Sequence, residues 1–255
     1  MTRIPTKILV GGTALVLIVG GTAWYVAHRS GAPLAGLTAS SVALPAQSPY
    51  KASGPYFKIV ANYPTTTPFA AAQSQAAISA MHAWIAAEVA QFKKDGNFIA
   101  LIPAKAAQQG LTAGRKYTLS IVYLEGSSAH TYSYIYTVYE DTGGAHENTF
   151  FKTFTFDASS GKLLSLSDLF TGGYLQKLSL LSQEKLTQNL GQFANASMIK
   201  SGTAPAAVSF GNWFFDNNDF VLLFPPYQVA AYAAGPQTVR IPASELSGLL
   251  KNQYP

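Results

Sequence analysis

The sequence predicts an α+β domain: an antiparallel β-sheet, made of a meander plus a C-terminal hairpin, packed against one long and one medium α-helix. A single N-terminal transmembrane helix precedes it. Three observations carry this reading. Apolar residues recur at three- and four-residue steps through Ile78, Met81, Ile85, Val89 and Phe92, the stripe of a core-facing helix. Three later segments alternate apolar and polar residues with period two, the signature of strands. The links between those segments, "GSSA" and "DTGGAHEN", are short enough that the strands must be antiparallel neighbours.

Taken in order, residues 8–27 ("ILVGGTALVLIVGGTAWYVA") hold no charge. Twenty helical residues span about 30 Å, the thickness of a bilayer's hydrocarbon core. Trp24 and Tyr25 stand near its far end, where aromatic rings favour the interface. A cleaved signal peptide is the competing reading, but its apolar region is shorter and ends in a small-residue cleavage site. Here His28 and Arg29 follow directly, which favours an uncleaved anchor over residues 1–30. Arg3 and Lys7 bias the N-terminus to the cytoplasmic side. The expected location is therefore a cell membrane, single-pass, with the C-terminal domain outside the cytoplasm; the resemblance given below implies that the membrane is bacterial. Residues 31–55 are rich in Ala, Pro, Ser and Gly and read as a semi-extended tether.

The folded part is expected over residues 56–255, as a strand–helix half (56–114) and a sheet half (115–255). "YFKIVANYP" opens it as a strand closed by proline. The helix through Ile78 and Phe92 is filled with alanine and ends at Asp95-Gly96. Tyr117, Leu119, Ile121 and Tyr123 share one strand face; Tyr132, Tyr134, Tyr136 and Val138 share the next; Phe150, Phe154 and Phe156 share the third. "DASSGK" is a turn, and Ser167-Asp168 offers a cap to a helix whose face is Leu175, Leu178, Leu181, Leu186 and Leu190, with Gly191 as its stop. Residues 216–219 turn a hairpin between Trp213/Phe215 and Phe220/Leu222/Phe224. "QTVRIP" is a last strand and "ASELSGLL" a closing helix.

Composition excludes several functions. The chain of 255 residues has no cysteine, which removes disulfides, thiolate catalysis and cysteine-ligated metal. Of 17 basic residues, Arg3, Lys7 and Arg29 flank the apolar segment, leaving 14 against 12 acidic. No basic run exceeds two residues, so the clustered face that nucleic acid requires is missing. There is no nucleophile elbow, phosphate loop, dinucleotide fingerprint, EF-hand loop or H-E-x-x-H motif. No catalytic residue, metal ligand or cofactor is assigned on these grounds.

Four histidines remain. His82 sits near the apolar helix stripe and reads as a packed or boundary residue; His130 reads as a solvated strand end. His146 is better placed, because Glu140, Asp141 and Glu147 lie within one loop's reach, and carboxylates with a histidine can bind a divalent metal. Gly143 and Gly144 favour a simpler reading, a sharp turn between strands with a solvated His146; a loop in which His146 contacts a partner is the next reading. The fourteen tyrosines suit sheet packing. They also suit an aromatic contact surface, because tyrosine supplies area at low entropy cost.

The segments "GGAHENTFFKTFTFD" and "GKLLSLSDLF", with "FVLLFPPYQVAAYAAGPQTVRIP", resemble the extracytoplasmic domain of the RsiV-type anti-sigma factors. The same domain accompanies polysaccharide deacetylases of the PdaC type. The resemblance implies an α+β domain that acts outside the membrane by binding, with lysozyme as the ligand in the anti-sigma factors. With seven residues before the apolar segment, neither a sigma-binding part nor a deacetylase domain is expected. The expectation is a sensor-like module alone on its tether. It would recognise a cell-wall component such as peptidoglycan, or a wall-acting protein such as lysozyme, through Gly143, Gly144, His146, Glu147, Asn148, Tyr227 and Tyr232. The alternatives are an enzyme acting on wall glycan or peptide and a structural accessory subunit of a membrane complex.

Overall fold

The computed structural model describes residues 49–98, 100–111, 114–251 and 254. The anchor expected over residues 8–27 and most of the tether lie outside them. Among the described residues no helix is long and apolar enough to cross a membrane.

The fold is α+β, as expected, but the strands form two sheets. The first has the order β1 (Tyr50–Ser53), β2 (Phe57–Ala61), β3 (Tyr117–Ser127), β4 (Thr131–Asp141), β5 (Asn148–Asp157). The predicted meander is β3–β4–β5, antiparallel throughout, with Tyr136 opposite both Tyr123 and Lys152. The expectation of a wholly antiparallel sheet is corrected at β2, which pairs parallel to β3 with Ile59 opposite Leu119. The cause is the connection: α1 (Ala71–Gly96) and α2 (Pro103–Gln108) intervene, and a helical crossover returns the chain in the same direction. β1 falls inside the stretch whose composition reads as tether, yet Tyr50 pairs with Ala61 and Lys51 with Val60.

The second sheet is β6 (Trp213–Asp216), β7 (Asp219–Phe224) and β8 (Gln237–Pro242), all antiparallel. The C-terminal hairpin therefore belongs to its own sheet and does not extend the meander. The helices separate accordingly. α1 buries Met81, Trp84, Ile85, Val89 and Phe92 with Ile59, Ile121, Tyr134, Tyr136 and Phe154 of the first sheet. After the short α3 (Leu166–Leu169), α4 (Tyr174–Leu190) buries Leu178, Leu181, Leu186 and Leu190 with Phe220, Leu222, Val239 and Ile241 of the second. The two cores divide the chain between Phe156 and Leu164, not near residue 114.

Local chemistry sets the element ends. α1 stops where Asn97 turns left-handed at φ 47°, its N–H donating to the Lys94 carbonyl; Lys93 and Lys94 in its last turn oppose the helix dipole. The cap expected at Ser167-Asp168 is displaced: Ser165 caps α3, with Asp168 answering from the third position. Gly191 ends α4. α5 (Ala196–Gly202) is an addition that the sequence pattern does not show. "ASELSGLL" forms only a 3-10 turn (Ala243–Leu246) and not the closing helix expected: Ser247 leaves the helical region at φ −53°, ψ 136°, and Gly248 then turns left-handed at φ 78°.

The two sheets meet through hydroxyl groups. Thr153 Oγ1 accepts from the Trp213 N–H at 3.0 Å, and Thr155 Oγ1 donates to the Trp213 carbonyl at 3.2 Å. Thr155 also shares a bond of 3.0 Å with Ser133. β6 is an edge strand, and these side chains satisfy its outward backbone groups within a buried joint.

Tyr134 and Tyr136 of β4 are core residues, and Tyr132 is partly buried against them. Tyr134 and Tyr136 are fully buried, and the Tyr136 hydroxyl rests on the Met81 sulfur at 3.4 Å. Tyr132 reaches Glu125 with a bond of 2.6 Å. Burial first, then that hydrogen bond and the Glu125 charge, push the Tyr132 hydroxyl up to about 12. Burial raises Tyr134 and Tyr136 as well.

Candidate functional site

The turn between β4 and β5 is built by Asp141 and Gly143. Asp141 Oδ1 accepts the Gly143 N–H at 2.8 Å, closing the turn with a side chain. Gly143 lies at φ 85°, and a Cβ there would sit 2.9 Å from Tyr117 Cε1. Gly144 has no positive φ, so the pair needs only one glycine for the reversal. Asn148 opens β5 opposite Glu140. The turn leaves Gly144, His146, Glu147 and Asn148 exposed.

The loop after β7 comes to meet it. Tyr227 holds a left-handed backbone at φ 69°, uncommon for a bulky residue, and Tyr232 begins a 3-10 turn closed by the Gly235 N–H on the Tyr232 carbonyl. His146 lies flat on Tyr232, with ring centroids 3.5 Å apart at 14°. Its Nε2 is 3.0 Å from the Tyr227 hydroxyl, and its Nδ1 is 3.2 Å from the Glu147 carbonyl. The Tyr232 hydroxyl donates to that same carbonyl at 3.2 Å. A carbonyl only accepts, so Nδ1 carries the proton, and in the neutral ring Nε2 accepts from Tyr227. The predicted residues from two segments, 81 positions apart at His146 and Tyr227, thus form one contiguous surface. An imidazole sits between two half-buried phenols.

This arrangement commits the His146 ring to tyrosines and a backbone carbonyl. Of the neighbouring acidic residues, Asp141 closes the turn, and Glu147 enters the network through its backbone. Among the described residues no group of three or more His, Asp or Glu is placed to hold a metal ion. The surface is instead suited to stacking and hydrogen bonding. Aromatic pairs contribute about 0.5–1.5 kcal/mol beyond area, which favours the stacked arrangement.

Of the other histidines, His130 is exposed beside β4. His82 packs edge-on against Tyr63 at 4.4 Å; burial lowers its pKa, opposed by a hydrogen bond to the Pro64 backbone.

Two supporting residues escape a reading of the sequence. Gln228 donates from Nε2 to the carbonyls of Gly202 and Ser209, each at 2.9 Å. This fixes the backbone next to Tyr227. Gly202 lets that backbone approach: a Cβ on it would lie 1.9 Å from the Gln228 carbonyl oxygen. An isolated glycine at a helix end is too common a feature to have flagged it.

Residues 167–244 match the family described as "Protein of unknown function (DUF3298)", so the chain carries a DUF3298 domain. It is 32% identical over 204 residues to the peptidoglycan-N-acetylmuramic acid deacetylase PdaC of Bacillus subtilis, a match covering 79% of this chain and 40% of that protein. It is 26% identical over 122 residues to the immunogenic protein MPT64 of Mycobacterium tuberculosis, covering 47% of this chain and 52% of that one. The chain thus spans about half or less of the length of these relatives. A crystal structure of a DUF3298 family member from Bacteroides fragilis superposes with a TM-score of 0.54 at 20% identity, over 77% of this chain and 85% of that one. That likeness is one of fold. The turn at 143–148 lies before the family match, and Tyr227 and Tyr232 lie inside it.

Proposed function

We propose that the chain is a membrane-anchored, extracytoplasmic recognition module of the RsiV type. Its His146–Tyr227–Tyr232 surface would bind a cell-wall component or a wall-acting protein such as lysozyme, with no covalent chemistry. The observation that carries this reading is the assembly of an ordered aromatic platform from two distant segments, at a place where core packing does not require one. His146 is exposed, yet its ring has three partners. Rigid aromatic groups at the surface are what interface anchors are made of. Similarity to PdaC, a protein named for acting on peptidoglycan, supports a ligand in the wall. The apolar segment 8–27 supports the location.

The test is capture by the immobilised chain, presented in detergent, of purified lysozyme and of soluble peptidoglycan fragments. The His146→Ala/Glu147→Ala variant runs beside it. Saturable retention of either ligand, weakened about tenfold in the variant with its unfolding midpoint preserved, is the expected result; tenfold corresponds to about 1.4 kcal/mol at a contact hot spot. Equal retention by the variant would remove the site from the proposal. Retention of neither ligand would remove the function.

A further inference from the structure

At the end of β4 remote from His146 lies a cleft of about 530 Å³ lined by His130, Asp157, Lys162, Asp168, Lys251 and Tyr254, among others. It joins the turn before β4, the turn after β5 and the C-terminal segment. Its hydrogen-bonding capacity is unevenly spent. Asp157 Oδ1 accepts from the backbone and hydroxyl groups of Ser159 and Ser160, at 2.6–3.1 Å, and Oδ2 accepts from Tyr254 at 3.2 Å. Asp168 accepts from Lys162 through Oδ1 and from the Ser165 N–H and hydroxyl through Oδ2. Every oxygen of the two carboxylates therefore already accepts from at least one of the chain's own donors.

The cations are not engaged to the same extent. Lys251 directs one N–H at the Ser167 carbonyl, at 2.8 Å, and an ammonium has three to give. The Lys162 ammonium donates to Asp168, its one side-chain partner among the described residues, and its side chain is 63% exposed. The His130 ring makes no hydrogen bond among the described residues; its backbone N–H donates to the Ser128 hydroxyl and its carbonyl accepts from the Ala158 N–H. What the cleft lacks is an acceptor. Two lysines balance two aspartates, so a dianion would leave the cleft strongly negative. A monoanion meets unspent donors at the smallest electrostatic cost.

We propose that this cleft binds a small carboxylate through Lys251, Lys162 and His130, as a second site independent of the His146 surface. The carboxylate has two chemical sources in a wall, an acidic sugar or the free end of a short peptide, and separate arms of one experiment distinguish them. The full chain in detergent is titrated by ligand-observed NMR with N-acetylmuramic acid, with N-acetyl-D-alanyl-D-alanine, and with N-acetylglucosamine, which lacks a carboxylate. Saturable binding of at least one carboxylate and none of N-acetylglucosamine is expected, and the arm that binds names the source. Lys251→Gln and, separately, His130→Ala should weaken it about fivefold each, the effect of losing one partly exposed charged contact. His146→Ala should leave it unchanged. Binding of neither carboxylate, equal binding of N-acetylglucosamine, indifference to both cleft variants, or loss on His146→Ala would each overturn the proposal. Because the two sites are read by different variants, and lysozyme probes only the first, failure here is distinct from failure of the recognition surface.

Discussion

Gly202→Ala isolates the contact that positions Tyr227. In the native chain the Gly202 Cα faces the Gln228 backbone so closely that an added Cβ falls 1.9 Å from its carbonyl oxygen and 2.7 Å from its carbonyl carbon. An ordinary carbon–oxygen contact needs about 3.3 Å, so the loop must retreat by about 1.4 Å. That movement strains or breaks the Gln228 side-chain bonds to Gly202 and Ser209. Overpacking costs about 1–3 kcal/mol, and each neutral hydrogen bond lost adds about 1 kcal/mol; a total near 3 kcal/mol is expected. Helix propensity works the other way, since alanine in place of a helical glycine is favourable by about 0.5–1 kcal/mol. The sign of the result therefore separates the two effects. Urea unfolding at constant m-value measures it. Ligand capture should fall as well, because the retreat pulls Tyr227 from its 3.0 Å contact with His146. A variant as stable as the parent, or more so, would refute the reasoning.

Other expectations follow from the same structure. His146→Ala should change unfolding free energy by less than about 1 kcal/mol, since the residue is exposed, while weakening ligand capture; a large loss of stability would mark His146 as structural. Thr155→Val keeps shape but leaves the Trp213 carbonyl and Ser133 hydroxyl short of a partner, and should cost about 2 kcal/mol in thermal or urea unfolding. In acid, Asp157 is opposed by burial yet held at about 2 by Ser159, Ser160 and Tyr254, and Asp168 is held at about 2 by Lys162 and Ser165, both against 3.8 ordinarily. The unfolded chain binds more protons in that interval, so their stabilisation is complete above the ordinary value and lost as pH falls through about 2; Asp157→Asn should flatten the acid limb of a stability–pH curve. In alkali the signs reverse. Tyr132 titrates at about 12 when folded against 10.0 ordinarily, so stability should be full below pH 10 and decline as pH rises through about 12, with Tyr132→Phe reducing the decline.

The parts of the fold legible in the sequence are those governed by local period. The stripe from Met81 to Phe92, the three alternating strands and the tight hairpin at 216–219 each carry their pattern within a dozen residues. The pairing of β2 with β3 was not legible, because its partner lies beyond α1 and α2, and direction is set by the crossover. Nor was the separation into two sheets, which rests on Thr153 and Thr155, residues that alternation alone assigns to an exposed face. At the site, composition singled out His146 and the late tyrosines. Their stacking depends on Gly202 and Gln228 holding a loop at close range, a tertiary fact without a local signal. The closing helix failed for a backbone reason, the departure of Ser247 from helical geometry ahead of the left-handed Gly248.

The threonine joint also bears on how copies of this chain behave at high concentration. An uncovered edge strand is a template for cross-chain addition and strand exchange. β6 cannot serve as one at Trp213, because the N–H and carbonyl that an incoming strand would seek are already held by Thr153 and Thr155. The grip also fixes alignment, since both hydroxyls, two residues apart on β5, address the same residue of β6. A shift of β5 by one step would turn the hydroxyls to its other face. The joint that binds the two halves of the domain is thus also a guard against polymerisation along that edge.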